Sequence, residues 1–170
     1  MTNRKLKNRW IALYVENQVG VLAKVSGLFS GKSYNLQSLT VGTTEQEDVS
    51  RMTISVLSDD VTFEQIKKQL NSMVEVIKVM DLTDVPIHMK EILYAKIKDV
   101  KGEEKQEVFR IAETFRVRVC DIGEDSVLLE SALTERKNNE LVALLKKQFH
   151  RLEVVRGGSV AIESISTSCR

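Results

Sequence analysis

The chain has 170 residues, 42% of them apolar and 29% charged, with a net charge of +1. That length holds one ordinary domain or two small ones, and the composition suits apolar cores beneath a solvated surface. Basic and acidic groups balance in both halves, 10 and 10 in the first 85 residues against 15 and 14 in the rest, which excludes a polycation and leaves no nucleic-acid partner expected.

Arg4, Lys5, Lys7 and Arg9 form the one basic cluster and read as a solvated N-terminal arm over residues 1–9. The apolar run behind them ends at Glu16, too short for a signal peptide. No segment approaches the roughly 18 apolar residues that cross a bilayer, so a cytoplasmic chain without a membrane partner is expected. W-I-A-L-Y-V, residues 10–15, reads as a strand. Val21, Leu22, Val25, Leu28 and Phe29 then recur at helical spacing, with Asn17 placed as N-cap and Gly31 as the stop. A second strand is expected over 34–42. After the polar turn T-T-E-Q-E-D, Met52, Ile54 and Val56 alternate along a third. Asp59-Asp60 opens a helix carrying Val61, Phe63, Ile66 and Leu70, and V-E-V-I-K-V-M makes a fourth strand.

D-L-T-D-V-P-I-H, with the only proline, Pro86, interrupts this βαββαβ order and predicts a linker over 83–90. The order then restarts. I-L-Y-A-K-I-K is a strand, and 103–115 a helix with Val108, Ile111, Ala112 and Phe115 inward. V-R-V-C-D-I and S-V-L-L-E-S-A-L form a hairpin over G-E-D, with Cys120 as a buried thiol. Thr134 caps a helix holding Leu141, Leu144, Leu145 and Phe149, and V-V-R-G-G-S-V-A-I-E closes the unit. Two consecutive units predict an α+β chain of two ferredoxin-like domains, 10–82 and 91–170, each with helices on one face of an antiparallel sheet. Their open strand edges favour a homodimer.

The stretch G-L-F-S-G-K-S nearly spells a phosphate loop, yet Gly31-Lys32-Ser33 follows a helix and precedes a strand. A phosphate there would meet the helix's negative end, to which Lys32 is complementary. Cys120 and Cys169 stand 49 positions apart, and His88 and His150 are isolated, so no metal site is expected. Cys169 falls in the polar C-terminal tail, where an exposed thiol is expected. No nucleophile, base and orienter assemble, and the chain reads as non-catalytic.

E-N-Q-V-G-V-L, between the first strand and the first helix, has a different chemistry. A helix N-terminus presents unpaired N–H groups, and Gly20 lets a ligand approach the backbone. Asn17, and Asn35 past the helix end, each offer an amide to a zwitterionic amino acid. The same two residues also read as an ordinary cap and an ordinary turn. Asn35 is expected where the chain turns back toward Asn17.

E-N-Q-V-G-V-L-A-K-V at this first turn resembles the ACT domain, an amino-acid-sensing module. With Y-N-L-Q-S-L-T-V, S-R-M-T-I, K-E-I-L-Y-A-K-I and E-V-V-R-G-G-S-V-A-I-E in order, residues 10–163 are similar to the small regulatory subunits of acetolactate synthase. The resemblance implies a non-catalytic subunit that activates a large catalytic partner and makes it sensitive to valine. Thiamine diphosphate, FAD and Mg are expected on that partner and no cofactor on this chain. The partner's transferase reaction condenses pyruvate with pyruvate or 2-oxobutyrate on the way to branched-chain amino acids. Homodimerisation through ACT domains is implied, with valine between the strand-to-helix loop of one chain and its neighbour. Carried over, the effector contacts are Asn17, Gly20, Val21, Leu22, Asn35 and Leu36. Ser33 departs from the family's usual glycine before the aromatic-Asn pair. Lys90-Glu91 stands where Arg-Glu is common, and Gly157 where Ser or Thr usually follows the arginine. The alternative reading is a stand-alone ACT-type regulator that binds an amino acid for another client protein.

Overall fold

The computed structural model describes residues 5–165; Arg4 of the basic cluster and Cys169 lie outside them. In chain order the elements are β1 (Lys7–Glu16), α1 (Val21–Gly31), β2 (Leu36–Thr43), β3 (Val49–Ser58), α2 (Asp60–Asn71) and β4 (Val76–Asp81). Then come β5 (Ile87–Lys98), α3 (Gly102–Phe115), β6 (Arg118–Ile122), β7 (Ser126–Leu133), α4 (Glu135–Gln148) and β8 (Arg151–Glu163). The chain divides into two compact units, one of residues up to His88 with those from Val160 onward, the other of Met89–Ser159. The sheets repeat one order, β2-β3-β1-β4 and β6-β7-β5-β8, so the expected tandem of ferredoxin-like α+β folds is present.

Alternation builds each core. Ile11, Leu13 and Val15 of β1 face the same side as Met52, Ile54 and Val56 of β3, and α1 and α2 cover them with Val21, Val25, Phe29, Phe63, Ile66 and Leu70. In the second unit Leu93, Ala95 and Ile97 of β5 pack with Val127 and Leu129 of β7 under Val108, Ile111, Leu141 and Leu145. Full burial of such a side chain is worth about 1.5–3 kcal/mol. Asp59 caps α2 by accepting from the Thr62 N–H at 2.8 Å, and Thr134 caps α4 through the Lys137 N–H.

Several side chains lie elsewhere than the sequence suggests. Arg9 is no solvated arm residue. It is 7% exposed on β1, pairs with Asp60, and lays its guanidinium 4.8 Å from the Phe63 ring centroid. Val61, read among the apolar residues of α2, is exposed: it stands two positions from Phe63, about 200° around the helix, and faces away from the buried side. Cys120 is half-buried, its thiol donating to the Leu128 carbonyl at 3.4 Å.

The second unit holds a buried polar cluster that composition does not reveal. Glu91, 4% exposed, accepts Arg156 Nε at 2.9 Å and Nη2 at 2.7 Å. Asn138 donates to the same carboxylate at 2.9 Å and accepts from Ser131 Oγ at 2.6 Å. The carboxylate's hydrogen bonds hold the Arg156 guanidinium's pKa above its ordinary value, against the opposing effect of burial.

Candidate functional site

The loop between β1 and α1 is fixed from two sides. Asn17 donates its backbone N–H to the Asp48 carbonyl at 2.8 Å, and the Glu16 N–H goes to the Glu75 carbonyl at 2.9 Å. Lys24 of α1 pairs with the Glu75 carboxylate, and this hydrogen bond holds that carboxyl below its ordinary range. Gly20 has φ +89° and stands at the N-cap position of α1. Nothing lies within 4 Å of where its Cβ would be, so glycine is used there for backbone conformation and not for space.

Asn17 is therefore not the cap, and α1 has no side-chain cap at all. Its amide instead faces the β2–β3 hairpin: Nδ2 donates to the Glu47 carbonyl at 2.9 Å, and Oδ1 accepts from Ser50 Oγ at 2.9 Å. A cap must be adjacent to the first turn, and Asn17 precedes Val21 by one loop too many. The first turn of α1 contains no acidic residue. Its N–H groups and partial positive charge face solvent beside the exposed Gly20 and Leu22, while Val21 is anchored in the core.

Asn35 and Leu36 lie at the far end of the helix. Gly31 is the last residue of α1, Lys32 its C-cap, and the left-handed residue is Ser33 at φ +54°. Its N–H returns to the Ser30 carbonyl at 3.2 Å and that of Tyr34 to Phe29 at 3.0 Å, closing the helix. The helix thus ends at the expected Gly31, and the left-handed residue that follows it is Ser33, two residues on. Glycine adopts such a conformation most cheaply. Asn35 is exposed, and its carbonyl accepts from Leu57 at 3.1 Å.

The strand register separates the two groups. Glu16 pairs with Val49 at the start of β3, whereas Leu36 pairs with Val56 near its end. Asn17 bonds at Asp48 and Asn35 at Leu57, so at roughly 3.3 Å per residue the two stand roughly 30 Å apart along the sheet. The expectation that the chain turns back and brings them together is wrong for a single chain. Asn17, Gly20, Val21 and Leu22 form one group at the start of α1, and Asn35 with Leu36 a second at its end.

Glu47, Asp48, Ser50 and Glu75 are the residues that sequence reasoning missed. Their one signal is Ser50, a polar residue opening an apolar strand and 6% exposed. A cavity of about 230 Å³ lies behind the hairpin, lined by Tyr14, Thr44, Glu45, Val49 and Ile77 among others. Another of about 350 Å³ includes Tyr14, Thr40 and Arg51, whose guanidinium pairs with Glu163 at 3.3 Å. None of the six expected effector residues lines either one. Among the described residues, no three His, Cys, Asp or Glu side chains converge as metal ligands, and no helix is long and apolar enough to cross a membrane.

Two family models match the chain. Residues 11–78 match the AHAS small subunit-like ACT domain, and residues 90–165 the small subunit of acetolactate synthase. The acetolactate synthase small subunit of Aquifex aeolicus is 39% identical over 158 residues, covering 93% of this chain and 82% of that protein. A probable acetolactate synthase small subunit of Archaeoglobus fulgidus is 40% identical over 152 residues, 89% of this chain and 94% of the relative. The crystal structure of the small subunit from Thermotoga maritima superposes with a TM-score of 0.84 at 33% identity, covering 94% of this chain and 99% of that one.

Proposed function

The chain belongs to the acetolactate synthase small-subunit family, and on that premise we propose that it is a non-catalytic regulator that activates a large catalytic subunit and confers inhibition by valine. The start of α1 is the observation that carries this reading. A helix start without a side-chain cap, a glycine at φ +89° and a first turn with no acid suit a ligand carboxylate. The outward side of the Asn17 amide suits the rest of an amino acid's polar groups.

Asn35 and Leu36 complete such a site only from a second chain, because one chain holds them at the opposite end of β3. The proposal therefore includes a homodimer through the first unit, with valine between loop 17–22 of one chain and residues 35–36 of its partner. Thiamine diphosphate, FAD and Mg are assigned to the large subunit, where the condensation of 2-oxo acids takes place. Valine regulates by binding more tightly to the less active conformation of the assembly; equal affinity for both states would have no effect.

The test mixes this chain with its cognate large subunit and follows acetolactate formation while valine is titrated. Activity is expected to rise on addition of the chain and to fall with valine. Failure of the first rise removes the activating role, and failure of the fall removes valine as effector.

A further inference from the structure

The β2–β3 hairpin is joined to the effector loop by three hydrogen bonds, all converging on Asn17. The Asn17 N–H reaches the Asp48 carbonyl, Nδ2 reaches the Glu47 carbonyl, and Ser50 Oγ reaches Oδ1. A carbonyl only accepts, so Glu47 dictates which end of the amide faces it. Ser50 then receives the oxygen. One donor and one acceptor of the amide are thus consumed by the hairpin, and one of each is left facing outward.

Ser50 is the least replaceable partner in this arrangement. Its Cα pairs with Val15 on β1 and with Thr43 on β2, so the hydroxyl sits on an inner strand beside the end of β1 from which the loop leaves. At 6% exposure it has little water to fall back on, whereas Glu47 and Asp48 are exposed and contribute only backbone. Without the hydroxyl, the amide is held at one end and is free to rotate about the Glu47 contact.

We propose that Ser50 is a positioning residue for the amino-acid site: it touches no ligand but locks the Asn17 amide and the loop up to Gly20 in the receptive pose. This rests on the effector reading above. It also makes the hairpin, previously just a polar turn, part of what sets effector sensitivity.

The experiment uses holoenzyme assembled with wild-type chain, Ser50→Ala or Ser50→Thr, with valine as the probe. Midpoints of valine inhibition and amide hydrogen exchange over residues 17–22 are both read. Ser50→Ala is expected to raise the midpoint about five- to tenfold and to accelerate exchange in that loop about tenfold. Ser50→Thr, which keeps the hydroxyl, is expected to return both to within about twofold of wild type. An unchanged midpoint or unchanged exchange in Ser50→Ala overturns the positioning role. So does a Thr variant as impaired as the Ala variant. Wild-type holoenzyme that ignores valine overturns the functional reading first, and the positioning role with it; the wild-type arm thus separates the two failures.

Discussion

The two units place buried charges of opposite sign at the same corner of the same fold. Arg9 lies two residues before the first core residue of β1, Ile11, and Glu91 two before the first of β5, Leu93. Each meets the fourth residue of the second helix, which is Phe63 in α2 and Asn138 in α4. Arg9 stacks on the ring and reaches the mostly exposed carboxylate of Asp60, while its Nε has no partner among the described residues. Glu91 has both oxygens bonded by Arg156 and Asn138. The fold accommodates either sign of charge at this corner, fully bonded in the second unit and only partly so in the first.

That contrast predicts unequal costs. Glu91→Ala leaves Asn138 Nδ2 only the backbone carbonyl of residue 91 as acceptor, and Arg156 without its counter-ion. Because Arg156 is about a third exposed, the loss is expected at about 2–3 kcal/mol, below the range for a fully buried pair. Arg9→Met keeps the apolar stem over Phe63 and is expected to cost about 1 kcal/mol or less. Urea unfolding of both variants checks the order; equal losses would break the comparison.

The first helices differ in a way that bears on function. Each has a positive-φ glycine at its start, Gly20 as the N-cap of α1 and Gly102 as the first residue of α3, and both lack a side-chain cap. α3 opposes its own dipole with Glu103 and Glu104, whereas α1 has no acid in its first turn. The second unit supplies from its own chain the negative charge that a ligand is proposed to supply in the first. Ala23 stands where Glu104 does, so Ala23→Glu is expected to weaken valine inhibition about tenfold while stabilising α1 slightly. A holoenzyme titration reads the first effect, and an unchanged midpoint would show that the helix start is not the anion site.

The smallest effect concerns the helix ends. Ser33 after α1 and Arg116 after α3 both adopt left-handed backbone, at φ +54° and φ +55°. Replacing either by glycine relieves the same strain and is offset by greater freedom in the unfolded chain. A gain of about 0.5–1 kcal/mol is expected for Ser33→Gly in thermal or urea unfolding. A loss would show that the Ser33 side chain has a role that outweighs its backbone.

What was legible in the sequence acts over short separations. Alternating Ile11, Leu13 and Val15, or Leu141 and Leu145 on one helix face, declare themselves within a few residues. Asp59 and Thr134 cap N–H groups three residues away. The charged corners were hidden because Arg9 and Glu91 find partners 51 and 65 residues distant. Asn17 was misplaced for the same reason, its amide being committed to residues 30 and 33 positions on. The separation of Asn17 from Asn35 follows from chain direction: β1 ends and β2 begins at opposite ends of β3, and the 11-residue α1, about 16 Å long, runs between them.

That separation also fixes an arithmetic for mixed assemblies. Under the proposed pairing each of two equivalent sites takes its loop from one chain and Asn35 from the other. A hybrid of one chain defective at Gly20 with one defective at Asn35 therefore concentrates both lesions in a single site and leaves its twin wholly intact. Two non-functional alleles would complement each other to half occupancy, which no site built within one chain can do.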